Sequence, residues 1–201
     1  MTQTPGPRQI VVGITGASGV VYARRLVECL VEAGAFVHLV VTPNGHRVLA
    51  DELDCKSTDP DAFLGRASDR IVAYPPGDLG ARIASGSFPA NGMIVIPCSV
   101  NTLGAIASGT SPNLLTRAAA VTLKESRRLV LVVREMPLSA IDLRNALECS
   151  RAGAVICPAS PGFYMNPRSL EDIVDFVVGR VLDLVGVPHK LNTRWTGETK
   201  A

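Results

Sequence analysis

The sequence lacks several features that define large classes of protein. Its five cysteines are scattered and form no CxxC pair, which argues against a zinc site or a disulfide framework. No apolar run reaches the roughly 18 residues that a membrane-spanning helix needs. The 20 basic and 18 acidic side chains nearly balance, which gives no argument for a nucleic-acid partner or an acidic membrane surface. The first residues, MTQTPGPRQ, contain no apolar signal core. We therefore expect a cytoplasmic protein that binds neither nucleic acid nor a membrane.

Aromatic residues are also scarce: the chain of 201 residues has one Trp, three Tyr and five Phe. Aliphatic residues dominate instead, and the mean hydropathy of +0.25 is high for a soluble monomer. This value predicts additional apolar surface buried between subunits. The length suffices for one domain with a substantial core, and no internal repeat or change of composition divides the chain. We expect a single domain over residues 1–201, with a core at about 9–188 and a polar tail at 189–201.

Apolar runs of strand length alternate with segments of helical periodicity. Strands are predicted at 9–14, after Gly34 to near Thr42, at 70–74, 92–97, 128–135 and 154–158. Helices are predicted at 19–33, 45–53, 101–110, 113–127, 138–153 and 169–186, and residues 54–68 are expected to be irregular. The alternation predicts an α/β fold with three layers, a doubly wound parallel sheet of flavodoxin-like or Rossmann-like type. Ligands of such folds bind at the carboxyl ends of the strands.

Polar and small residues follow these strands. They comprise TGASG at 15–19, Thr42, PCSVNT at 97–102, REMP at 134–137 and PASPGFY at 158–164, while ASGS at 84–87 precedes the fourth strand. Together they supply hydroxyl groups, backbone amides at helix starts, one arginine and one glutamate. These groups suit a phosphate-bearing ligand.

The turn after the first strand does not match a dinucleotide site. Gly13, Gly16 and Gly19 are each three residues apart, so the G-x-G-x-x-G pattern is not met. The second strand ends at Thr42, where a dinucleotide site usually has an acid to hold the ribose. The pattern favours a mononucleotide.

Seven sequence runs together resemble the UbiX-type flavin prenyltransferases, within the wider family of homo-oligomeric flavin-containing cysteine decarboxylases. They are TGASG, ASGS, PCSVNTLGAIASG, NLLTRAAAVTLKE, RRLVLVVREMPLS, RAGAVICPASPGFY and LEDIVDFVVGRVLD, in this order from residue 9 to about 188. The resemblance implies a flavodoxin-like fold, bound FMN and assembly into a dodecamer. It implies transfer of a dimethylallyl group from dimethylallyl monophosphate to N5 and C6 of reduced FMN, without a metal. The product, prenylated FMN, would serve a partner decarboxylase of the UbiD type.

The resemblance also implies roles for individual residues. The FMN-binding residues would be Gly16, Ala17, Ser18, Thr42, Ser99, Val100, Asn101, Thr102 and Arg134. The donor would contact Ser85, Arg117, Lys124, Tyr164, Arg180 and Trp195, and the catalytic residues would be Ser18, Glu52, Lys124 and Glu135. Two positions depart from the family: Asn101 stands where Gly is more usual, and Pro43 removes a backbone donor beside Thr42.

Other interpretations stay open at this point. An FMN-dependent cysteine decarboxylase would need a histidine base in the region of the first helix, and the three histidines lie elsewhere, at His38, His46 and His189. An FMN-binding accessory subunit of an aromatic acid decarboxylase would not need the phosphate-binding groups. The charged residues also have simple structural readings, such as a solvated stripe on a helix or, for Arg180, an ion pair with Asp183 or Glu171.

Overall fold

The computed structural model describes residues 6–57, 59–191 and 193; Trp195 therefore lies outside the described residues. The strands are β1 (Gln9–Ile14), β2 (Phe36–Val41), β3 (Ile71–Tyr74), β4 (Gly92–Cys98), β5 (Arg128–Val133) and β6 (Val155–Ile156). The helices are α1 (Val20–Glu32), α2 (Pro43–Leu53), α3 (Pro60–Leu64), α4 (Val100–Ala107), α5 (Leu114–Lys124), α6 (Ala140–Arg151) and α7 (Leu170–Leu184). Short 3-10 turns lie at Arg82–Ala84 and Phe163–Met165.

The six strands form one parallel sheet in the order β3-β2-β1-β4-β5-β6. Gln9 on β1 pairs with Phe36 on β2, and Ile10 on the other side of β1 pairs with Gly92 on β4. The strand order reverses direction between β1 and β4, so the crevice at their carboxyl ends is the topological switch point, where α/β sheets bind ligands.

Helices cover both faces of the sheet, as the continuous apolar strands predict. One core contains Leu26 of α1, Phe63 of α3 and Val178 of α7, packed against alternate residues of the strands. The second core, on the opposite face, contains Leu115 of α5 and Cys149 of α6. The predicted three-layer, doubly wound α/β fold is therefore confirmed.

Local sequence explains where the helices begin and end. Asn113, Ser139 and Ser169 each cap a helix and accept a hydrogen bond from the backbone N–H three residues on, in reciprocal capping boxes. After α6 and α7 the chain turns at Gly153 (φ 100°) and Gly186 (φ 66°), a conformation that glycine adopts without steric cost.

Two predicted segments differ in the structure. Residues 54–68, expected to be irregular, contain the short helix α3, which begins at Pro60 and buries Phe63 completely. The sixth strand is shorter than the predicted 154–158: only Val155 and Ile156 form it, although the Cys157 and Ala159 amides still donate to the Leu131 and Val133 carbonyls of β5. None of the helices in the described part of the chain is long and apolar enough to cross a membrane.

Candidate functional site

A buried threonine joins the two turns at the switch point. The Thr15 hydroxyl donates to the Pro97 carbonyl at 2.7 Å and accepts from the Ser99 amide at 2.9 Å. The side chain therefore ties the TGASG turn after β1 to the PCSVNT turn after β4. Sequence reasoning did not single out Thr15, although it lies within the quoted motif.

The first turn of α1 is already occupied by a carboxylate. Gly19 precedes the helix with φ 99° and has no side chain to cap it. The Glu52 carboxylate from α2 accepts from the Gly19 amide at 2.9 Å and from the Val20 amide at 3.2 Å. An anion at a helix N-terminus satisfies free amides and complements the helix dipole. Glu52 thus takes the place that a dinucleotide's pyrophosphate occupies in a Rossmann fold, which excludes that mode of binding while the carboxylate stays there.

Two glycines allow α2 to lie directly against the TGASG turn. A Cβ atom at Gly16 would stand 2.5 Å from the Asn44 Cβ, and one at Gly45 would stand 2.8 Å from the Ile14 carbonyl oxygen. Thr42 caps α2 and accepts from the Gly45 amide at 3.1 Å. Pro43 follows at the first helical position, where the missing N–H interrupts no helical hydrogen bond.

The start of α4 offers free backbone donors to the same crevice. Ser99 caps the helix: its hydroxyl accepts from the Thr102 amide at 3.4 Å and donates to the Thr102 hydroxyl at 3.2 Å. The amides of Val100 and Asn101 belong to the first turn, where a helix provides no internal acceptor. These two amides are suited to a phosphate group.

Arg134 closes the crevice from the end of β5. Its Nε donates to the Ser18 carbonyl at 3.0 Å, and its backbone amide donates to the Cys98 carbonyl at 3.2 Å. The half-buried ring of Tyr22 lies against Gly19. Burial raises the pKa of the Tyr22 hydroxyl, and the nearby Arg134 charge opposes that rise. Tyr22 was missed from the sequence; its position in the first turn of α1, in a chain with few aromatics, was the available indication.

The predicted FMN residues therefore meet at one place. The turn after β1, the α2 and α4 starts and the end of β5 carry Gly16, Ala17, Ser18, Thr42, Ser99, Val100, Asn101, Thr102 and Arg134. Small residues, hydroxyl groups, two free amides and one guanidinium fit a molecule with one phosphate, and the amides at the α1 start already donate to Glu52. The donor set fits FMN.

Glu135 follows Arg134 and is exposed at this edge, where its carboxylate accepts from the Met136 amide at 3.2 Å. The described hydrogen bonds do not include one between Ser18 and Glu135, although both residues flank Arg134. Glu52, predicted as a catalytic acid, caps the start of α1 in the structure through the Gly19 and Val20 amides.

Three of the predicted donor residues lie on the α5 face of the sheet, Arg117 and Lys124 on the helix itself and Ser85 on the turn beside it. Ser85 places its hydroxyl 2.9 Å from that of Ser87. Arg117 donates through Nε to the Ala84 carbonyl at 3.3 Å, and the exposed Lys124 lies 3.8 Å from the Glu125 carboxylate. These cations and hydroxyls form a group that suits a phosphate.

The other two described donor residues lie near α7, on the opposite face. The Tyr164 ring packs edge-on against Phe176, with ring centroids 5.7 Å apart. Arg180 pairs with Asp183 at 3.2 Å, as the simple structural reading of the sequence expects, and the other Asp183 oxygen lies 3.2 Å from His189 Nε2. The predicted donor residues thus form two groups, on the α5 and α7 sides of the sheet, and Trp195 lies outside the described residues.

Comparison with known proteins identifies the family to which the chain belongs. The family model described as Flavoprotein matches residues 2–182. The chain is 48% identical over 191 residues to the flavin prenyltransferase UbiX of Halalkalibacterium halodurans, covering 93% of each chain. The chain belongs to the UbiX family of flavin prenyltransferases.

Solved structures of UbiX proteins have the same fold. The crystal structure of AnUbiX (PadA1) in complex with FMN and dimethylallyl pyrophosphate superimposes with a TM-score of 0.86 at 43% identity, covering 96% of this chain and 100% of that one. A dodecameric FMN-dependent UbiX-like decarboxylase from Escherichia coli O157:H7 gives a TM-score of 0.86 at 42% identity, covering 94% and 100%.

The structure places none of the three histidines on the first helix, where the interpretation as a cysteine decarboxylase requires a histidine base. His38 is buried in β2, His46 lies in α2 and His189 contacts Asp183 in the tail, so none of the three lies on α1.

Proposed function

We propose that this protein transfers the dimethylallyl group of dimethylallyl monophosphate to N5 and C6 of reduced FMN. The observation that carries the proposal is the crevice between β1 and β4, which combines a mononucleotide-binding turn with Arg134 and the exposed Glu135. AnUbiX, which shares this fold, was crystallised with FMN and dimethylallyl pyrophosphate. Reduced FMN supplies the two nucleophilic ring positions; the protein supplies binding, orientation and proton transfer.

The α5 group stabilises the leaving phosphate. Cleavage of an allylic C–O bond leaves a phosphate dianion, so positive charge aimed at its oxygens lowers the barrier. Arg117 and Lys124 are seven residues apart on α5 and therefore lie on one side of the helix, next to the turn that contains Ser85. Each such charge-assisted hydrogen bond contributes on the order of 1–3 kcal/mol.

Glu135 acts as the general base. Formation of the second bond to the ring releases a proton, and an exposed carboxylate at the mouth of the crevice can accept it. We infer that Glu135 starts protonated and passes its proton through the Ser18 hydroxyl to the departing phosphate, which leaves the Glu135 carboxylate free to accept the ring proton. We assign Glu52 to positioning: by capping α1 it fixes the turn on which Ser18 lies.

We propose that copies of the chain assemble so that the two donor groups meet. Ser85, Arg117 and Lys124 lie on the opposite side of the sheet from Tyr164 and Arg180, which suggests that one copy completes the site of another. Large apolar side chains are exposed beside Glu135 and along α6: Met136, Leu138, Ile141, Leu143 and Leu147. Exposed apolar surface of this kind is typical of an interface. The dodecameric E. coli relative supports a dodecamer as the assembly.

The product, prenylated FMN, would pass to a partner decarboxylase of the UbiD type, and no step of this reaction uses a metal. A cytoplasmic location is part of the same proposal.

Release of inorganic phosphate tests the proposal. Protein, reduced FMN and dimethylallyl monophosphate are mixed without oxygen, with dimethylallyl diphosphate in a parallel reaction. We expect phosphate release that requires reduced FMN and falls at least a hundredfold in Lys124→Met. Binding of FMN without any phosphate release from either donor would contradict the transferase function and favour an accessory subunit; release of pyrophosphate alone would correct the donor.

A further inference from the structure

An arginine outside the predicted donor site holds the turn that carries Ser85. Arg127 follows α5; its Nη1 donates to the Phe88 carbonyl at 2.7 Å and its Nη2 to the Gly86 carbonyl at 2.7 Å. The guanidinium is planar and rigid, so two short hydrogen bonds from one group fix the relative position of the two carbonyls. Arg127 thereby fixes the backbone on either side of Ser87.

The hydroxyl of Ser85 depends on that backbone. The Ser87 amide donates to the Ser85 hydroxyl at 3.3 Å, and the Phe88 amide donates to the Ser85 carbonyl at 3.2 Å. The Ser85 and Ser87 hydroxyls lie 2.9 Å apart. A rotation of the intervening peptides would therefore move both hydroxyls.

Without Arg127, the Phe88 carbonyl would keep another hydrogen bond to the described residues, but the Gly86 carbonyl would not. Phe88 is buried, its ring packs edge-on against His38 at 4.8 Å, and its carbonyl also accepts from the Ala90 amide at 2.8 Å. Among the hydrogen bonds of the described residues, the Gly86 carbonyl accepts from Arg127 alone. The middle of the turn thus depends on this one side chain.

A carboxylate connects the same arginine to Lys124. Glu125 lies 3.9 Å from Arg127 Nη2 and 3.8 Å from Lys124 Nζ. The Glu125 carboxylate also lies directly against Gly86, so a Cβ atom added at Gly86 would collide with it. The turn and the end of α5 therefore fit together as one unit.

We propose that Arg127 is a positioning residue for the donor phosphate: through the Gly86 and Phe88 carbonyls it places the Ser85 hydroxyl beside Lys124. This inference rests on the proposed donor site. Arg127 itself need not touch the donor, because both of its Nη atoms are engaged with the turn. Lysine at this position could reach one carbonyl but not both in fixed geometry.

Binding of the donor, measured apart from turnover, tests the proposal. Dimethylallyl monophosphate is titrated calorimetrically into FMN-loaded protein in air, where the flavin stays oxidised, and FMN affinity is measured separately by fluorescence. We expect Arg127→Met to raise the donor Kd about tenfold, which corresponds to the loss of roughly one charged hydrogen bond. The donor Kd of Arg127→Lys should lie between those of Arg127→Met and the wild type. FMN affinity should stay unchanged. Arg128→Met, at the exposed neighbouring position, is the matched control and should bind the donor as the wild type does.

An unchanged donor Kd in Arg127→Met would overturn the proposal, as would a parallel loss of FMN affinity, which would indicate general damage to the fold. If Arg127→Met does not fold, Gly86→Ala keeps the carbonyl that Arg127 contacts but pushes the Glu125 carboxylate away from the turn, and it should weaken donor binding without weakening FMN binding. A wild-type protein that binds the donor but never transfers it would contradict the proposed function and leave the role of Arg127 in binding intact. A wild type that binds FMN but no donor would remove the donor site and this role with it.

Discussion

At the residue scale, one histidine is kept neutral inside the sheet. His38 is buried, with Nε2 2.8 Å from the Gln9 side-chain oxygen and Nδ1 2.9 Å from the Tyr74 hydroxyl. Because an amide oxygen can only accept, Nε2 carries the hydrogen and Nδ1 accepts from Tyr74. Burial and, to a smaller extent, the Arg82 charge together lower the pKa of His38 to about 4.

This shift predicts a loss of stability in acid. The folded pKa lies below the ordinary value, so the unfolded chain binds the proton first; the contribution of neutral His38 is complete above about pH 6.5 and is lost as the pH falls toward 4. The free energy of unfolding should fall by up to about 3 kcal/mol over this range because of His38. Urea denaturation at pH 7 and pH 4 measures the loss, and His38→Gln should reduce it. An identical loss in both proteins would rule out this role of His38.

Glu52 should contribute to stability as a helix cap. Replacement by Ala leaves the Gly19 and Val20 amides without their acceptor, and we expect a loss of about 1–2 kcal/mol. Glu52→Gln keeps one acceptor oxygen and should lose less. Urea denaturation compares both with Asp51→Ala, whose exposed carboxylate on the same helix makes only a 3.9 Å contact with Arg47. Equal stability of Glu52→Ala and the control would show that the cap is not needed.

The sequence could reveal residues whose role is local. Ser99 and Asn113 cap helices that begin at the next residue, and this pattern is visible in a short window. Glu52, Tyr22 and Arg127 were not recognised in these roles, because each acts on a segment that only the fold brings near. Glu52, for example, caps a helix that begins 32 residues earlier.

At the element scale, the order of strands and helices could be predicted because buried parallel strands are continuously apolar and the helix caps are explicit. The predicted elements were wrong only where an element is too short to show apolar continuity or helical periodicity. The helix α3 has five residues, too few to show helical periodicity, and β6 has two. The sequence also could not show that the predicted donor residues divide between the α5 and α7 sides of the sheet, because this depends on which face each helix covers.

The helix α5 carries two of the three predicted donor-binding cations, Arg117 and Lys124, so its capping should affect donor binding. Asn113→Ala removes the capping box and should cost about 1 kcal/mol of stability while fraying the turn that precedes Arg117. Asp61→Ala removes the acceptor of the Ser68 amide from α3, which carries no predicted site residue and no part of the proposed interface, and should cost a similar amount. Calorimetric titration should show weaker donor binding only for Asn113→Ala. Equal donor affinity in the two variants would contradict the placement of the donor on α5.

At the scale of the whole molecule, several large apolar side chains on and before α6 are exposed in the single chain, which favours an interface between copies. The side chains of Met136, Ile141 and Leu143 are 88%, 69% and 57% exposed in the single chain. Burial of such residues between copies recovers roughly 25 cal/mol per Å² of apolar area.

A charge on this surface should break the assembly. We expect Ile141→Glu to shift the protein to smaller species in sedimentation velocity, because an interface cannot bury an unpaired carboxylate. Lys56→Gln lowers the net charge by the same one unit at an exposed position after α2 and should leave the assembly intact. The dissociated variant should also lose donor binding if two copies complete the site. Unchanged sedimentation of Ile141→Glu would show that α6 is not an interface.

The mass of the flavin tests the central claim most directly. Wild-type protein and Glu135→Gln are incubated without oxygen with reduced FMN and dimethylallyl monophosphate, and the extracted flavin is weighed by mass spectrometry. The account predicts a flavin heavier by one C5H8 unit with the wild type and little or none with Glu135→Gln, which keeps the shape of the side chain but cannot accept the proton. Unmodified flavin from wild-type protein that still binds FMN tightly would contradict prenyl transfer.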